Sequence, residues 1–303
     1  MSSQISFPGL SIPPFTVNPV AFSVGGIEIR WYGVIIVLGI IAGFSYAAFR
    51  AKQSGLSLDD MLDYVLVALP LGIICARLYY VVFFNDGSYK TFYDVIAIWE
   101  GGLAIYGGVL GGLLGMFLVS RHKKNKFRAV LDCFAPGVMI GQIFGRWGNF
   151  FNAEAYGTLD HIDFPFIGRI FTPHFEENYP LRMVIENGFV GKIAVHPTFL
   201  YESVWNLLGL LLIHLFFNRK RFDGEVALWY FGWYGFGRFF IEGMRDDSLM
   251  LGSFRVSQVL AFLLFAASIV LIVIGSKKAK KKAEILDGYI TQFEKSDKTD
   301  GEE

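Results

Sequence analysis

The chain has 303 residues, 53% hydrophobic, 17% aromatic and only 18% charged, with a mean hydropathy of +0.45. Such a composition excludes a disordered chain, and with Cys75 and Cys133 as its only cysteines it excludes a disulfide scaffold. Lys plus Arg and Asp plus Glu both number 27, so the bulk basic surface of a nucleic-acid binder is absent and no nucleic-acid partner is expected.

Residues 1–30 come first. They lack the basic start and cleavage pattern of a signal peptide, and Pro8, Pro13, Pro14 and Pro19 punctuate them. They predict an extended, surface-lying lead-in. Seven apolar stretches follow, at about 31–49, 61–84, 101–119, 129–151, 199–217, 226–242 and 256–274. Each approaches the roughly 20 residues that cross about 30 Å of hydrocarbon. The connections after the first, third, fifth and seventh stretches hold 15 basic residues, and those on the other side hold 7, Lys90 among them. Basic residues collect on the cytoplasmic side. The expected architecture is therefore an all-α integral membrane protein of seven transmembrane helices, N-terminus outside and C-terminus cytoplasmic. Residues 31–275 form its membrane domain. Within it, 152–198 is the longest outer loop, carrying Pro165, Pro173 and Pro180, and reads as a small extracytoplasmic cap. Residues 276–303 read as a basic stop followed by a frayed polar tail.

Three arginines lie inside the second, fourth and sixth stretches: Arg77, Arg146 and Arg238. A charge within hydrocarbon costs at least about 2.5–3.5 kcal/mol, which makes it a functional candidate. All three stand near the outer ends of their stretches, roughly 6–11 Å deep at 1.5 Å per residue. Other polar residues fall in the same layer: Tyr32, Tyr106, Asn149, Asn152, Glu154, His196, Tyr201, Glu202, Tyr234 and Glu242. Guanidiniums bind phosphate in a bidentate fork. The layer thus points to an outward-facing site for an anionic lipid headgroup. The competing reading of one such arginine is snorkelling to the interface, and Arg238 with Glu242 has the i, i+4 spacing of a plain ion pair. Trp229, Tyr230 and Trp233 read as an interfacial belt. Gly107 and Gly108 would let a substrate lie against backbone beside Tyr106, whereas Gly111, Gly112 and Gly115 read as helix packing. No Cys/His spacing suits a metal and no phosphate-cradling loop is present, so neither metal nor cofactor is expected.

The run Gly145-Arg146-Trp147-Gly148-Asn149-Phe150-Phe151-Asn152-Ala153-Glu154-Ala155-Tyr156-Gly157 resembles the signature of the bacterial prolipoprotein diacylglyceryl transferases. Arg30-Trp31-Tyr32-Gly33, His196-Pro197-Thr198-Phe199-Leu200-Tyr201-Glu202 and Gly237-Arg238-Phe239-Phe240-Ile241-Glu242 are similar to further motifs of that family. The resemblance runs from about residue 28 to 275. It implies a seven-helix enzyme of the bacterial cytoplasmic membrane that takes the diacylglyceryl group from phosphatidylglycerol. The group passes to the lipobox cysteine of a prolipoprotein signal peptide as a thioether, and glycerol phosphate leaves. It further implies Arg146 and Arg238 as the catalytic arginines, with Tyr106 in the catalytic set beside them and Arg77 a weaker addition. Substrate binding would fall to Asn149, Glu154, Gly157, Tyr32, Tyr234, Glu242, His196, Tyr201 and Glu202. Tyr106 stands where many members carry His, the usual candidate base. A phenol titrates near 10 and is a poor base at neutral pH. Tyr106, Glu202, Glu242 and His196 stay open as proton acceptors. From the residues alone, a flippase or transporter for an anionic lipid, or a non-catalytic lipid-binding receptor, would use the same arginines.

Overall fold

The computed structural model describes residues 2–84, 89, 91–165, 168–172, 179–245, 249–251 and 254–300; Lys90 and Pro173 lie outside them. The long helices are α1 (Trp31–Gln53), α2 (Leu58–Phe83), α4 (Ile105–Lys123), α5 (Phe127–Asn152), α6 (Thr198–Phe216), α7 (Glu225–Gly243) and α8 (Val256–Asp300), with a short α3 at Phe92–Ile96. Each of the seven long helices overlaps one of the predicted apolar stretches. Five of the helical segments are long and apolar enough to cross a membrane: Trp31–Gln53, Leu58–Phe83, Phe127–Asn152, Thr198–Arg219 and Val256–Leu286.

Two expectations are corrected. The chain is mostly helical but not all-α. Its described residues include β1 (Ser3–Phe7), β2 (Ile12–Val17), β3 (Val20–Val24), β4 (Ile27–Arg30), β5 (Gly157–Thr158), β6 (His161–Phe164), β7 (Gly168–Phe171), β8 (Met183–Asn187) and β9 (Gly191–His196), with a small β10 (Met250–Leu251) and β11 (Phe254–Arg255). The tail does not fray after residue 283, because α8 continues to Asp300. Lys, Ala, Glu and Leu there are good helix formers, and Lys280 approaches Glu284 at 3.9 Å with i, i+4 spacing.

The described chain forms two compact units, residues 45–134 and residues 1–44 with 135–303. In the first, α2 opens on a capping box. Ser57 Oγ accepts from the Asp60 N–H at 3.0 Å, and Asp60 accepts from the Ser57 N–H at 3.0 Å. Helix α4 then packs against α2 along its glycines. A Cβ on Gly107 would strike the Cys75 carbonyl, one on Gly111 the Leu71 carbonyl, and one on Gly115 the Ala68 backbone. Gly107 is therefore a packing residue, not the substrate platform expected of it, whereas Gly112 has open space.

In the second unit a five-stranded sheet runs β2-β1-β8-β9-β5, all antiparallel. The lead-in is thus paired into the sheet, β1 lying between β2 and β8. The alternation of strand side chains puts Ile5, Phe7, Val17, Met183, Ile185 and Val195 into one buried cluster that reaches Phe199, at the start of α6. Strand β9 feeds directly into that helix. Helices α6, α7 and α8 pack side by side, and small residues bring their backbones close. A side chain on Gly235 would meet the Ala261 carbonyl at 2.6 Å. Trp205 and Trp233 stack at 4.2 Å, and each indole N–H donates to the other's backbone carbonyl, at 2.9 and 2.8 Å.

Candidate active site

Helices α5, α6 and α7 place three charged side chains at one level. Arg146 comes from the last third of α5, Glu202 from the first turns of α6, and Arg238 from the last turns of α7. The two Glu202 oxygens are divided between the arginines: Arg146 Nη2 lies 2.9 Å from one and Arg238 Nη1 2.9 Å from the other. Arg238 Nη2 also meets Glu242, one turn on. Glu202 and Glu242 are each 2% exposed. Two part-buried cations are thus matched by two buried carboxylates. Carboxylate oxygens give the guanidiniums the pairing that a low-dielectric interior demands.

The network extends outward from Arg146. Its Nη1 donates to Asn149 Oδ1 at 3.2 Å, Asn149 donates to Glu154 at 3.0 Å, and Asn152 donates to the same Glu154 oxygen at 3.1 Å. Arg146 and Asn149 share a helix face three residues apart. Glu154 folds back because Ala153 and Ala155 take left-handed backbone conformations, φ 51 and 59. Tyr32 packs on this stretch; a side chain on Gly148 would lie 2.6 Å from its ring. Gly157 allows another close approach. A Cβ there would meet the Met244 carbonyl at 2.7 Å and sit 3.2 Å from the His196 Cβ.

A guanidinium carries five N–H donors. Among the described residues the recorded partners occupy Nη1 and Nη2 of each arginine and leave both Nε–H groups without a recorded acceptor. The arrangement therefore suits a second anion, held by charge-assisted hydrogen bonds between apolar helices.

The remaining expected residues lie in other groups. His196 Nδ1 is 3.1 Å from the Tyr201 hydroxyl, which donates to Tyr179 at 3.0 Å. Burial pulls the His196 imidazole down to about 4, so it is neutral at pH 7. The unfolded imidazole titrates near 6.5, so the stabilisation from its neutral form is full above about pH 6.5. It is lost progressively as pH falls through about 4. The expected result is a melting temperature that declines between those values, a slope that His196→Gln removes; thermal melts of both proteins across pH 4–7 check it. Tyr106 is the second residue of α4, its ring 6.2 Å from Tyr79. Arg77 is 5% exposed, and its guanidinium donates to the carbonyls of Asp94, Val95, Gly101 and Gly102. The side chain shapes the loop between α2 and α4.

Sequence reasoning missed the aromatic row beneath Arg238. Tyr230 is not an interfacial belt residue: it is 7% exposed, accepts from Gln142 Nε2 at 2.9 Å and stacks on Tyr234 at 5.9 Å. The signal was the spacing of Tyr230, Tyr234, Arg238 and Glu242, each four residues from the next and hence on one face.

Fold and site define a multi-pass α-helical membrane protein whose helices meet at a buried arginine–glutamate network. The comparisons make that class specific. The family model of the prolipoprotein diacylglyceryl transferases matches residues 19–274. Proteins named phosphatidylglycerol–prolipoprotein diacylglyceryl transferase are similar over most of their length. The Clostridium kluyveri protein is 42% identical over 84% of this chain and 94% of its own. For the Limosilactobacillus reuteri protein the figures are 42%, 86% and 92%, and for the Streptococcus mutans protein 44%, 85% and 95%. The chain belongs to the prolipoprotein diacylglyceryl transferase family and is a transferase.

Proposed function

We propose that this protein transfers the diacylglyceryl group of phosphatidylglycerol to the lipobox cysteine thiol of prolipoproteins, the first step of lipoprotein maturation. Its place is the bacterial cytoplasmic membrane. All seven long helices span, with the N-terminus outside and residues 152–198 as the outer cap. Helices α4 and α7, at 19 residues each, reach about 28 Å at 1.5 Å per residue. Labelling in intact cells of a Lys124→Cys variant by a membrane-impermeant thiol reagent would overturn this orientation.

The observation that carries the reading is the bridge of Arg146 and Arg238 through Glu202. The cysteine sulfur, as thiolate, attacks the glyceryl carbon that bears the phosphate. The C–S bond forms, the C–O bond breaks, and its electron pair leaves on the phosphate oxygen of glycerol phosphate. Negative charge therefore grows on phosphate in the transition state, where fixed guanidiniums act most strongly. Arg146 and Arg238 supply that field. Asn149 and Glu154 orient Arg146, Glu202 holds both arginines at one spacing, and Glu242 holds Arg238 from its other side. Gly157 lets the cap strands close over the start of α6, and Tyr32 packs the outer end of α5. Tyr234 backs the arginine layer, while His196 and Tyr201 brace the cap against α6. Arg77 fixes the α2–α4 loop. A transporter for an anionic lipid is not favoured, since the similar proteins are named as transferases.

We assign Tyr106 to substrate binding. Tyr106→Phe is expected to keep its rate within about threefold of the parent, because a neutral phenol contributes little as a base, whereas general base catalysis is worth about 10²–10⁴-fold. Steady-state rates of the two proteins decide it. The reading as a whole is tested by incubating purified protein with phosphatidylglycerol and a lipobox peptide. Mass spectrometry should find the diacylglyceryl mass on cysteine; its absence with folded protein would overturn the reading.

A further inference from the structure

A cavity of about 670 Å³ opens between α6, α7 and α8. Its walls include Trp205 and Phe216 of α6, Trp229, Trp233 and Phe236 of α7 and Ile269 of α8, with Arg219 and Arg221 at one end. It is distinct from the arginine–glutamate site. Trp229, Trp233 and Phe236 follow i, i+4, i+7 on one face of α7, and the stripe of Tyr230, Tyr234 and Arg238 lies roughly 130° around the helix from them at 100° per residue. Along α6 the groove runs from Trp205 to Phe216, about 16 Å at 1.5 Å per residue. That is about half of the roughly 30 Å hydrocarbon layer, the depth of one leaflet.

Polarity along the groove is one-sided. At the Trp205 end both indole N–H groups of the Trp205–Trp233 stack are already donated to backbone carbonyls. At the other end Arg219 and Arg221 line the groove. Arg221 is ion-paired with the fully buried Glu225. Arg219 lies over the Phe216 ring at 5.3 Å, and no salt bridge holds it among the described residues. An occupant must be apolar for one leaflet's depth and anionic at the basic end.

We propose that this groove binds an anionic glycerophospholipid of the bilayer, its acyl chain against the tryptophans and its phosphate on Arg219, flanked by Arg221. The site is separate from the transfer site, and the lipid is a bound companion of the fold rather than a reactant. The inference does not rest on the transfer reading, and its test uses headgroups outside that reaction.

The full-length protein in detergent is titrated with phosphatidylserine or phosphatidylcholine of identical acyl chains, and retained lipid is counted by native mass spectrometry. One to two basic residues at a membrane surface correspond to an expected fivefold to thirtyfold preference for phosphatidylserine. Arg219→Gln should lose about fivefold of that preference and Arg219→Lys should restore it. Arg219 is chosen because Arg221 holds Glu225, so its loss would also disturb the fold. Ile269→Trp, which fills the groove, should lower retention of both lipids. Equal retention of the two lipids by the parent would overturn the proposal. So would a preference that survives Arg219→Gln and disappears in Arg146→Lys, which would put the lipid in the transfer site.

Discussion

Arg238→Ala and Arg146→Ala should each lower the rate of diacylglyceryl transfer by roughly 10²–10³-fold, the usual effect of removing one fixed stabiliser of developing charge. The physical case is strongest for Arg238. It is joined to both buried carboxylates, Glu202 and Glu242, so its position is fixed from two sides before any lipid arrives. Truncation also leaves those carboxylates short of a partner, and breaking a buried pair typically costs about 3–5 kcal/mol. Loss of activity alone is therefore ambiguous, and the lysine variants separate the causes. Lys keeps the charge and part of the pairing but not the planar fork. Arg146→Lys and Arg238→Lys should melt close to the parent and still lose most of the rate. Melting curves and steady-state rates on the same preparations provide the check. Full activity in folded Arg146→Ala would sink the assignment.

Glu202→Gln is expected to be the most destabilising single change in the site. Neutralising Glu202 leaves the part-buried Arg146 and Arg238 at one level with no carboxylate between them. The expected cost is about 3–5 kcal/mol, seen as a lower denaturation midpoint. An anion that binds between the arginines should then stabilise the variant more than the parent, since it replaces the missing carboxylate. The linkage is quantitative: a ligand at 100 times its Kd adds about 2.7 kcal/mol. Adding phosphatidylglycerol to Glu202→Gln and to the parent, and comparing the two melting shifts, measures this. Equal shifts would mean that the lipid phosphate does not sit between the guanidiniums.

The two variants show where the site was legible beforehand and where it was not. Arg146, Arg238, Glu202 and Glu242 were all visible in the sequence, because a charge inside an apolar stretch stands out whatever its partners. The pairing was only partly visible. Arg238 with Glu242 follows from i, i+4 spacing along one helix. Glu202 as the link between two helices does not, because no spacing rule joins residues on the separate helices α5, α6 and α7. Arg77 shows the reverse. Its depth and neighbours matched those of the other two arginines, yet its guanidinium is taken by four loop carbonyls. Those acceptors come from backbone, which residue types do not reveal. Tyr230 was misread although its four-residue spacing from Tyr234, Arg238 and Glu242 put it on their face; its bond to Gln142 of another helix has no such mark.

By itself, then, the sequence determined the class of the molecule. Runs of about 20 apolar residues can satisfy their backbone hydrogen bonds in lipid only as helices or closed barrels, and the helices lie on those runs. Its four ordered motifs also pointed to the family. Tertiary structure alone decided what the lead-in and cap do. Strand pairing between residues 3–7 and 183–187 depends on register between segments far apart in the chain, which local pattern does not encode. Tertiary structure likewise decided which arginine faces a carboxylate and which is enclosed by its own loop. Burial makes every charge find a partner, but which partner is available is settled only when the helices pack.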